Sequence, residues 1–136
     1  MLTLDDLPTP SLLLDHDRFV RNHERLATHL LRLGVPLRPH VKTAKSIPAL
    51  RQLLRGQPGG VTVSTLREAE ACLDAGITDI LYAVGVAPQK LPAIAELQAR
   101  GAAMMVILDS LAAARALAAH RKRRGIGIPA LIEIDS

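Results

Sequence analysis

The stretch Leu37–Thr43, with the sequence LRPHVKT, is the part of this chain on which the interpretation of the rest depends. It has the length of one β-strand, and side chains alternate between the two faces of a strand. Arg38, His40 and Lys42 are therefore predicted to share one face. Such a row is costly to bury, because an unpaired charge in a protein interior shifts its pKa or destabilises the fold. The row indicates either an edge strand with a solvated face, which Pro39 favours, or a strand that carries a functional site.

Outward from this stretch, short apolar runs alternate with longer segments of helical character. Five further runs are predicted to be strands: Thr9–Leu14, Val61–Thr65, Asp79–Val84, Ala103–Leu108 and Pro129–Asp135. Helices are predicted between them, with start signals at Asp15, Ser46, Thr65, Pro88 and Ser110. Thr65 and Glu68 also have the spacing of a capping box. This alternation indicates right-handed βαβ units and a parallel sheet, either an open doubly wound sheet or part of a (β/α)8 barrel.

The composition excludes several classes of protein. With 136 residues, 49% hydrophobic and 22% charged, the chain is too apolar to be disordered, and a single cysteine excludes a disulfide scaffold. The longest clean apolar run, Ala102–Leu108, is far shorter than the roughly 20 residues of a membrane span. Two aromatic residues give no stacking platform for single-stranded nucleic acid. The net charge of +4 equals the charge of the four basic residues Arg121–Arg124. These cations are predicted to lie at the end of a helix, where they complement the negative end of its dipole. We therefore expect a cytoplasmic protein without a signal peptide, and neither nucleic acid nor a membrane as its partner.

Lys42 is the candidate for chemistry within LRPHVKT. The carboxyl ends of central strands are where sites in α/β folds assemble. Partial burial beside other cations lowers the pKa of a lysine, which leaves the neutral amine that reacts with an aldehyde. The other two lysines, Lys45 and Lys90, are expected on the solvated surface.

Several other residues have structural explanations. Arg38 is expected to form an ion pair with a carboxylate on a neighbouring strand, such as Glu133 or Asp135. Tyr82 is expected in the core with its hydroxyl hydrogen-bonded, and Cys72 is expected to be buried and inert. The histidines have no ligand spacing that converges with a cysteine, so no metal site is predicted.

The order of several short motifs along the chain resembles that of a known family. Besides Leu37–Thr43, the motifs are Thr9–Asp15, Asn22, Thr65–Glu70, Asp79–Tyr82, Lys90–Leu91 and Leu131–Asp135. Together they resemble the fold-type III pyridoxal-phosphate enzymes, in particular the D-threonine aldolase and D-serine dehydratase-like group. Ala44 stands where the family often has a second histidine, which leaves the exact substrate open.

The resemblance implies roles for three residues. Lys42 would be the catalytic lysine that forms the internal aldimine with the cofactor, pyridoxal 5′-phosphate. His40 and Thr43 would belong to the cofactor-binding set. For His40 two interpretations stay open. In the first it orients Lys42 or the cofactor, and in the second it supports the residues of the site through a hydrogen bond without contacting the cofactor.

The resemblance also implies an α/β fold, a partial (β/α)8 TIM-like barrel of the alanine racemase N-terminal type, with about five of its eight strands. Residues 37–136 would form this incomplete cofactor-binding barrel. Residues 1–36 would supply a leading helix and one strand, Thr9–Leu14, of a second, mostly β domain. Because a closed barrel needs about 200 residues or more, we expect an N-terminal fragment whose last strand lacks a neighbour.

The function implied for the parent protein is that of a lyase for D-3-hydroxy amino acids, by aldol cleavage or dehydration. Its partner would be a small D-amino acid, a full-length version would be a homodimer, and a divalent metal would belong only to the full-length protein. The fragment alone is expected to be inactive. Two alternatives stay open, a non-catalytic pyridoxal-phosphate carrier and a truncated product without function.

Overall fold

The computed structural model describes residues 3–134, and the chain divides between Val35 and Pro36 into two compact units. None of the helices in the described range is long and apolar enough to cross a membrane.

The first unit contains a short 3₁₀ turn, Leu4–Asp6, and helix α1, His16–Arg32. Helix α1 begins where the sequence predicts, because the Asp15 carboxylate accepts a hydrogen bond of 2.9 Å from the Arg18 N–H and so satisfies a free donor of the first turn. It ends at Arg32, two residues before Gly34, which has a φ of 68°.

The strand predicted at Thr9–Leu14 does not form. A strand exists through its hydrogen bonds to a neighbour, and this segment pairs with no strand in residues 3–134. Its apolar side chains are accordingly solvated, with Leu12 92% exposed. The prediction that this segment belongs to a β domain stays a prediction.

The second unit is a layered α/β structure. Its strands and helices alternate along the chain: α2 (Ile47–Leu53), β1 (Val61–Val63), α3 (Leu66–Asp74), β2 (Asp79–Gly85), α4 (Leu91–Ala99), β3 (Ala103–Leu108), α5 (Leu111–Arg124) and β4 (Ala130–Ile132). The four strands form one parallel sheet in the order β1-β2-β3-β4. Sheet order therefore equals chain order, as successive βαβ units on one sheet predict.

Four of the five predicted helix starts are confirmed, whereas α4 begins at Leu91 and not at Pro88, because Pro88–Lys90 forms a 3₁₀ turn before it. The Ser46 and Ser110 hydroxyls accept hydrogen bonds from the first turns of α2 and α5. Thr65 and Glu68 form the predicted capping box at the start of α3. Helix α5 ends in four basic residues before Gly125, whose φ of 71° closes the helix in the left-handed conformation.

One face of the sheet carries the hydrophobic core. Its strand residues are almost completely buried: Val61, Val63, Ile80, Tyr82, Met104 and Val106. They pack with helix side chains such as Leu50, Ala69 and Ile94. The alternate residues of the same strands, Thr62 and Leu81 among them, are only half-buried. The second face of the sheet is thus much less covered than the first.

The stretch Leu37–Thr43, predicted as the first barrel strand, is not a regular strand. Only His40 forms a parallel bridge, to Thr62, and Val41–Thr43 is a 3₁₀ turn. Pro39 explains part of this, because it has no N–H and contributes only its carbonyl, which accepts a 2.9 Å hydrogen bond from the Thr62 N–H. The last strand is also shorter than predicted, and Asp135 lies outside the described residues.

Candidate functional site

Lys42 lies in a turn at the carboxyl-terminal edge of the sheet. The preceding residues run parallel to β1, with His40 opposite Thr62, so Lys42 follows the sheet at the same end at which β1 gives way to α3. Its side chain is exposed. The chain turns here because the Lys45 N–H donates to the Val41 carbonyl at 2.9 Å, and Lys45 itself has a φ of 47°.

The turn changes the arrangement that strand alternation predicts. Arg38 and His40 keep the strand spacing, but Lys42 leaves the row because it belongs to the 3₁₀ turn. The three groups therefore do not form one continuous basic face. Thr43, in the same turn, is exposed, and its N–H lies 3.5 Å from the His40 carbonyl oxygen.

His40 is the polar side chain that contacts the turn. Its Nδ1 accepts a hydrogen bond of 3.3 Å from the Lys42 backbone N–H, which makes His40 the N-cap of the turn. Its Nε2 lies 3.4 Å from the Ser64 hydroxyl. Partial burial, reinforced by the charge of Lys42, lowers the pKa of His40 below its ordinary value, while Glu68 acts in the opposite direction.

Ser64 is a residue beside the Lys42 turn that the sequence analysis did not single out. Its N–H donates to a Glu68 carboxylate oxygen at 2.8 Å, and the Thr65 N–H donates to the same oxygen at 3.3 Å. The Thr65 hydroxyl in turn accepts from the Glu68 N–H at 3.1 Å, so Thr65 serves the helix cap. The available signal was positional, because Ser64 is a polar residue directly after a buried parallel strand, where sites assemble.

Arg38 forms its ion pair with Asp79 and not with Glu133; Asp135, the other predicted partner, lies outside the described residues. The guanidinium donates to both Asp79 carboxylate oxygens, at 3.0 and 2.8 Å, and to the Val61 carbonyl at 3.3 Å. Asp79 opens the strand next to β1, whereas Glu133 follows β4, two strands further away.

Gly60 leaves room for Asp79, the ion-pair partner of Arg38. A Cβ on Gly60 would lie 2.0 Å from the Asp79 carbonyl oxygen, so β1 and β2 approach each other more closely there than any side chain permits. The pair Gly59 and Gly60 before an apolar strand, with an aspartate opening the next strand, was the sequence signal for this contact.

Tyr82 and Lys90 form a second pair on the opposite side of the sheet. The Lys90 ammonium lies 2.5 Å from the Tyr82 hydroxyl and 5.1 Å from the centre of its ring. Tyr82 is a completely buried core residue with its hydroxyl satisfied, as predicted. The expectation for Lys90 was wrong, because its side chain is half-buried against that ring. Tyr82 is paired with Val63 and so lies on the other face from His40 and Thr62.

Cys72 lies on α3 beneath a cavity of about 430 Å³ that is also lined by Lys45, Ser46 and Thr65. The thiol is completely buried. Burial, with a smaller contribution from Glu68, raises its pKa, which agrees with the predicted inert cysteine. In residues 3–134 no three His, Cys, Asp or Glu side chains form a cluster suited to a metal ion.

The chain matches known proteins along nearly all of its length. The family described as alanine racemase, N-terminal domain, matches residues 14–136. The D-threo-3-hydroxyaspartate dehydratase of Delftia sp. (strain HT23) is 46% identical over 136 residues, which is 100% of this chain and 35% of the relative. The D-serine dehydratase of Schizosaccharomyces pombe is 38% identical over 100 residues, or 70% of this chain and 24% of the relative.

Solved structures share the architecture of this chain. The structure of the Delftia dehydratase superimposes with a TM-score of 0.91 over 95% of this chain and 34% of its own. The D-threonine aldolase from Filomicrobium marinum, 36% identical, superimposes with a TM-score of 0.84 over 97% of this chain and 36% of its own.

The chain thus spans about a third of the length of the relatives it matches. Its four-stranded sheet is a partial barrel of the alanine racemase type, as the sequence predicts. The match over residues 14–136 shows that this chain belongs to the alanine racemase N-terminal domain family.

Proposed function

We propose that this chain is the cofactor-binding part of a pyridoxal-phosphate-dependent lyase for D-3-hydroxy amino acids, and that Lys42 attaches the cofactor. The observation that carries the proposal is the position of Lys42, an exposed primary amine on a hydrogen-bonded turn at the carboxyl edge of a parallel sheet. Relatives of this chain are named as dehydratases of D-threo-3-hydroxyaspartate and D-serine and as an aldolase of D-threonine.

The residues of the turn fit the aldehyde end of pyridoxal phosphate. An aldehyde carbon needs a primary amine that is accessible and partly unprotonated, and the Lys42 side chain is exposed at this edge of the sheet. His40 and Thr43 supply polar groups beside it. When bound, pyridoxal phosphate acts as an electron sink for the carbanion that develops on an amino acid substrate.

The residues of this chain would then have separate tasks. The Lys42 Nζ would hold the cofactor and, when the amine is free, would serve as the base that takes the proton from the substrate Cα. His40 keeps the backbone of the turn in place through its bond to the Lys42 N–H. Arg38 and Asp79 tie the segment before the turn to the beginning of β2.

Dehydration is the first candidate reaction, because the 46% identical relative is named as a dehydratase. Aldol cleavage is the second, favoured by the match to a D-threonine aldolase structure. The two reactions differ in product, since dehydration and hydrolysis release ammonia and a 2-oxo acid, whereas cleavage releases an aldehyde and a smaller amino acid. Assays of both products with D-threonine, D-serine and D-threo-3-hydroxyaspartate in the full-length protein distinguish them.

Covalent labelling tests the role of Lys42 directly. The purified chain is incubated with pyridoxal phosphate, the bond is reduced with borohydride, and the labelled peptide is located by mass spectrometry. We expect the label on Lys42. The Lys42→Ala variant should lose it, and Lys45→Ala, which removes an exposed lysine three residues away, should keep it.

An equal distribution of label over Lys42, Lys45 and Lys90 would contradict the proposal, as would label that persists at full level in Lys42→Ala. Selective label on Lys42 without turnover of any of the three amino acids by the full-length protein would support a non-catalytic carrier in place of a lyase.

A further inference from the structure

The hydrogen bonds of His40 define which of its ring nitrogens carries the proton. The Lys42 backbone N–H can only donate, so the Nδ1 atom that faces it at 3.3 Å must be an unprotonated acceptor. A neutral imidazole has one donor and one acceptor. The proton therefore resides on Nε2, which faces the Ser64 hydroxyl at 3.4 Å.

Both ends of this arrangement are anchored, one on the sheet and the other at the start of α3. The backbone of His40 is held on β1 by its bridge to Thr62, and Ser64 is held by the bond from its N–H to the Glu68 carboxylate. The ring thus connects the end of β1 and the start of α3 to the amide of Lys42. The turn has only three residues, Val41–Thr43. Without the His40 ring, backbone bonds such as that from the Lys45 N–H to the Val41 carbonyl still close it, but the Lys42 N–H loses its acceptor.

We propose that His40 is a positioning residue that holds the Lys42 turn only in its neutral Nε2–H form, so that protonation of His40 releases the turn and weakens the attachment of a carbonyl ligand at Lys42. This inference rests on the proposed role of Lys42 and adds that the attachment at Lys42 depends on pH. In the protonated ring both nitrogens are donors, and two donors, the ring Nδ1–H and the Lys42 N–H, would then face each other.

The charges around His40 agree with a neutral ring. Lys42 in its own turn disfavours a second positive charge, and partial burial acts in the same direction. Glu68 on α3 is the charge that favours protonation, but its carboxylate already accepts from the Ser64 and Thr65 N–H groups. Ser64, the group that faces Nε2, is uncharged. The neutral form is therefore the resting form near pH 7.

Two variants of His40 distinguish the effect of its hydrogen bond to the Lys42 N–H from the effect of protonating its ring. In His40→Asn the side-chain amide oxygen occupies the place of Nδ1 and accepts from the Lys42 N–H at any pH, and asparagine is also a good N-cap. In His40→Leu no acceptor remains. Neither substitution removes the lysine whose labelling is measured.

The test has two readouts on the full chain. Two-bond ¹⁵N–¹H correlation spectra of the cofactor-free chain report the tautomer of each histidine, and the His40 signal, assigned by its loss in His40→Asn, should show the Nε2–H form above pH 7. The initial rate of borohydride-trapped labelling of Lys42 by pyridoxal phosphate is then followed from pH 8 to pH 5.

We expect the ratio of the wild-type rate to the His40→Asn rate to fall about five-fold as His40 becomes protonated, the factor for one net hydrogen bond of about 1 kcal/mol. His40→Leu should be slower than His40→Asn by about the same factor at pH 8. An Nδ1–H tautomer, or a rate ratio that stays constant with pH, would overturn the inference even if Lys42 is labelled. If Lys42 takes no label in any variant, the proposed function fails, while the spectra still decide the tautomer.

Discussion

Replacing Gly60 with alanine should destabilise the sheet through a backbone collision between β1 and β2. The added Cβ would lie 2.0 Å from the Asp79 carbonyl oxygen, with the Asp79 Cγ at 2.4 Å, whereas contacts below 3.0 Å are essentially never observed. The two strands must therefore separate by about 1 Å. A typical inter-strand spacing of about 4.8 Å would become roughly 5.8 Å, which is beyond the reach of ladder hydrogen bonds.

The size of the effect follows from the contacts that this separation breaks. Three register pairs join β1 to β2, from Val61 opposite Ile80 to Val63 opposite Tyr82, and two or three hydrogen bonds at about 1 kcal/mol each are at risk. Misalignment of the half-exposed Arg38–Asp79 pair adds about 0.5 kcal/mol. We expect a loss of about 3 kcal/mol in the free energy of unfolding, or a Tm roughly 10 °C lower.

Chemical denaturation followed by circular dichroism measures this difference, and Gly56→Ala is the matched control. Gly56 has a φ of 68° and no atom within 4 Å of an added Cβ, so alanine there should cost only the roughly 1–2 kcal/mol of a left-handed conformation. A Gly60→Ala variant no less stable than Gly56→Ala would refute the reasoning. So would full recovery in Gly60→Ala combined with Asp79→Ala, because the nearest atom belongs to the Asp79 backbone.

Three other predictions concern single contacts. His120 is 3% exposed and its Nε2 has no hydrogen-bond partner in the described residues, so His120→Leu should raise the unfolding free energy by about 1 kcal/mol; a decrease in a denaturant titration would contradict this. The raised pKa of Cys72 means that the unfolded thiol ionises first, so stability should fall as pH rises above about 8.5. That slope should vanish in Cys72→Ala, and the native thiol should resist Ellman's reagent. A double-mutant cycle with Arg38→Met and Asp79→Asn should give a coupling of about 1 kcal/mol that weakens in salt; zero coupling at low salt would show that the pair is incidental.

Local signals in the sequence were sufficient to predict most of the helices and strands. The capping box of Thr65 and Glu68 and the serine caps Ser46 and Ser110 mark helix starts through bonds within one turn, so a reader of the sequence can place them without knowing the fold. The same applies to Gly125, whose left-handed conformation ends α5. The parallel sheet followed from the alternation of these helices with apolar strands.

The remaining features depend on contacts between distant parts of the chain. The turn at Lys42 is closed by the bond from the Lys45 N–H to the Val41 carbonyl and capped by the His40 ring, which accepts from the Lys42 amide and contacts Ser64. Strand alternation contains no information about these bonds. The partner of Arg38 depends on which strand lies next to β1 and on the missing side chain of Gly60. In both cases the local sequence pattern was compatible with more than one structure, a strand or a turn at Lys42 and different carboxylate partners for Arg38. Contacts between distant parts of the chain decided which one forms.

The identical order of strands in the sheet and in the chain has a consequence for biogenesis. Each strand from β2 onward is added beside the strand that preceded it in synthesis, so every new pairing closes only a short loop, and short loops have a small closure entropy. The growing sheet can be assembled as the ribosome delivers it, one βα unit at a time. At each stage of synthesis the newest strand forms the open edge of the sheet, which is the surface at which unwanted association between growing chains would begin.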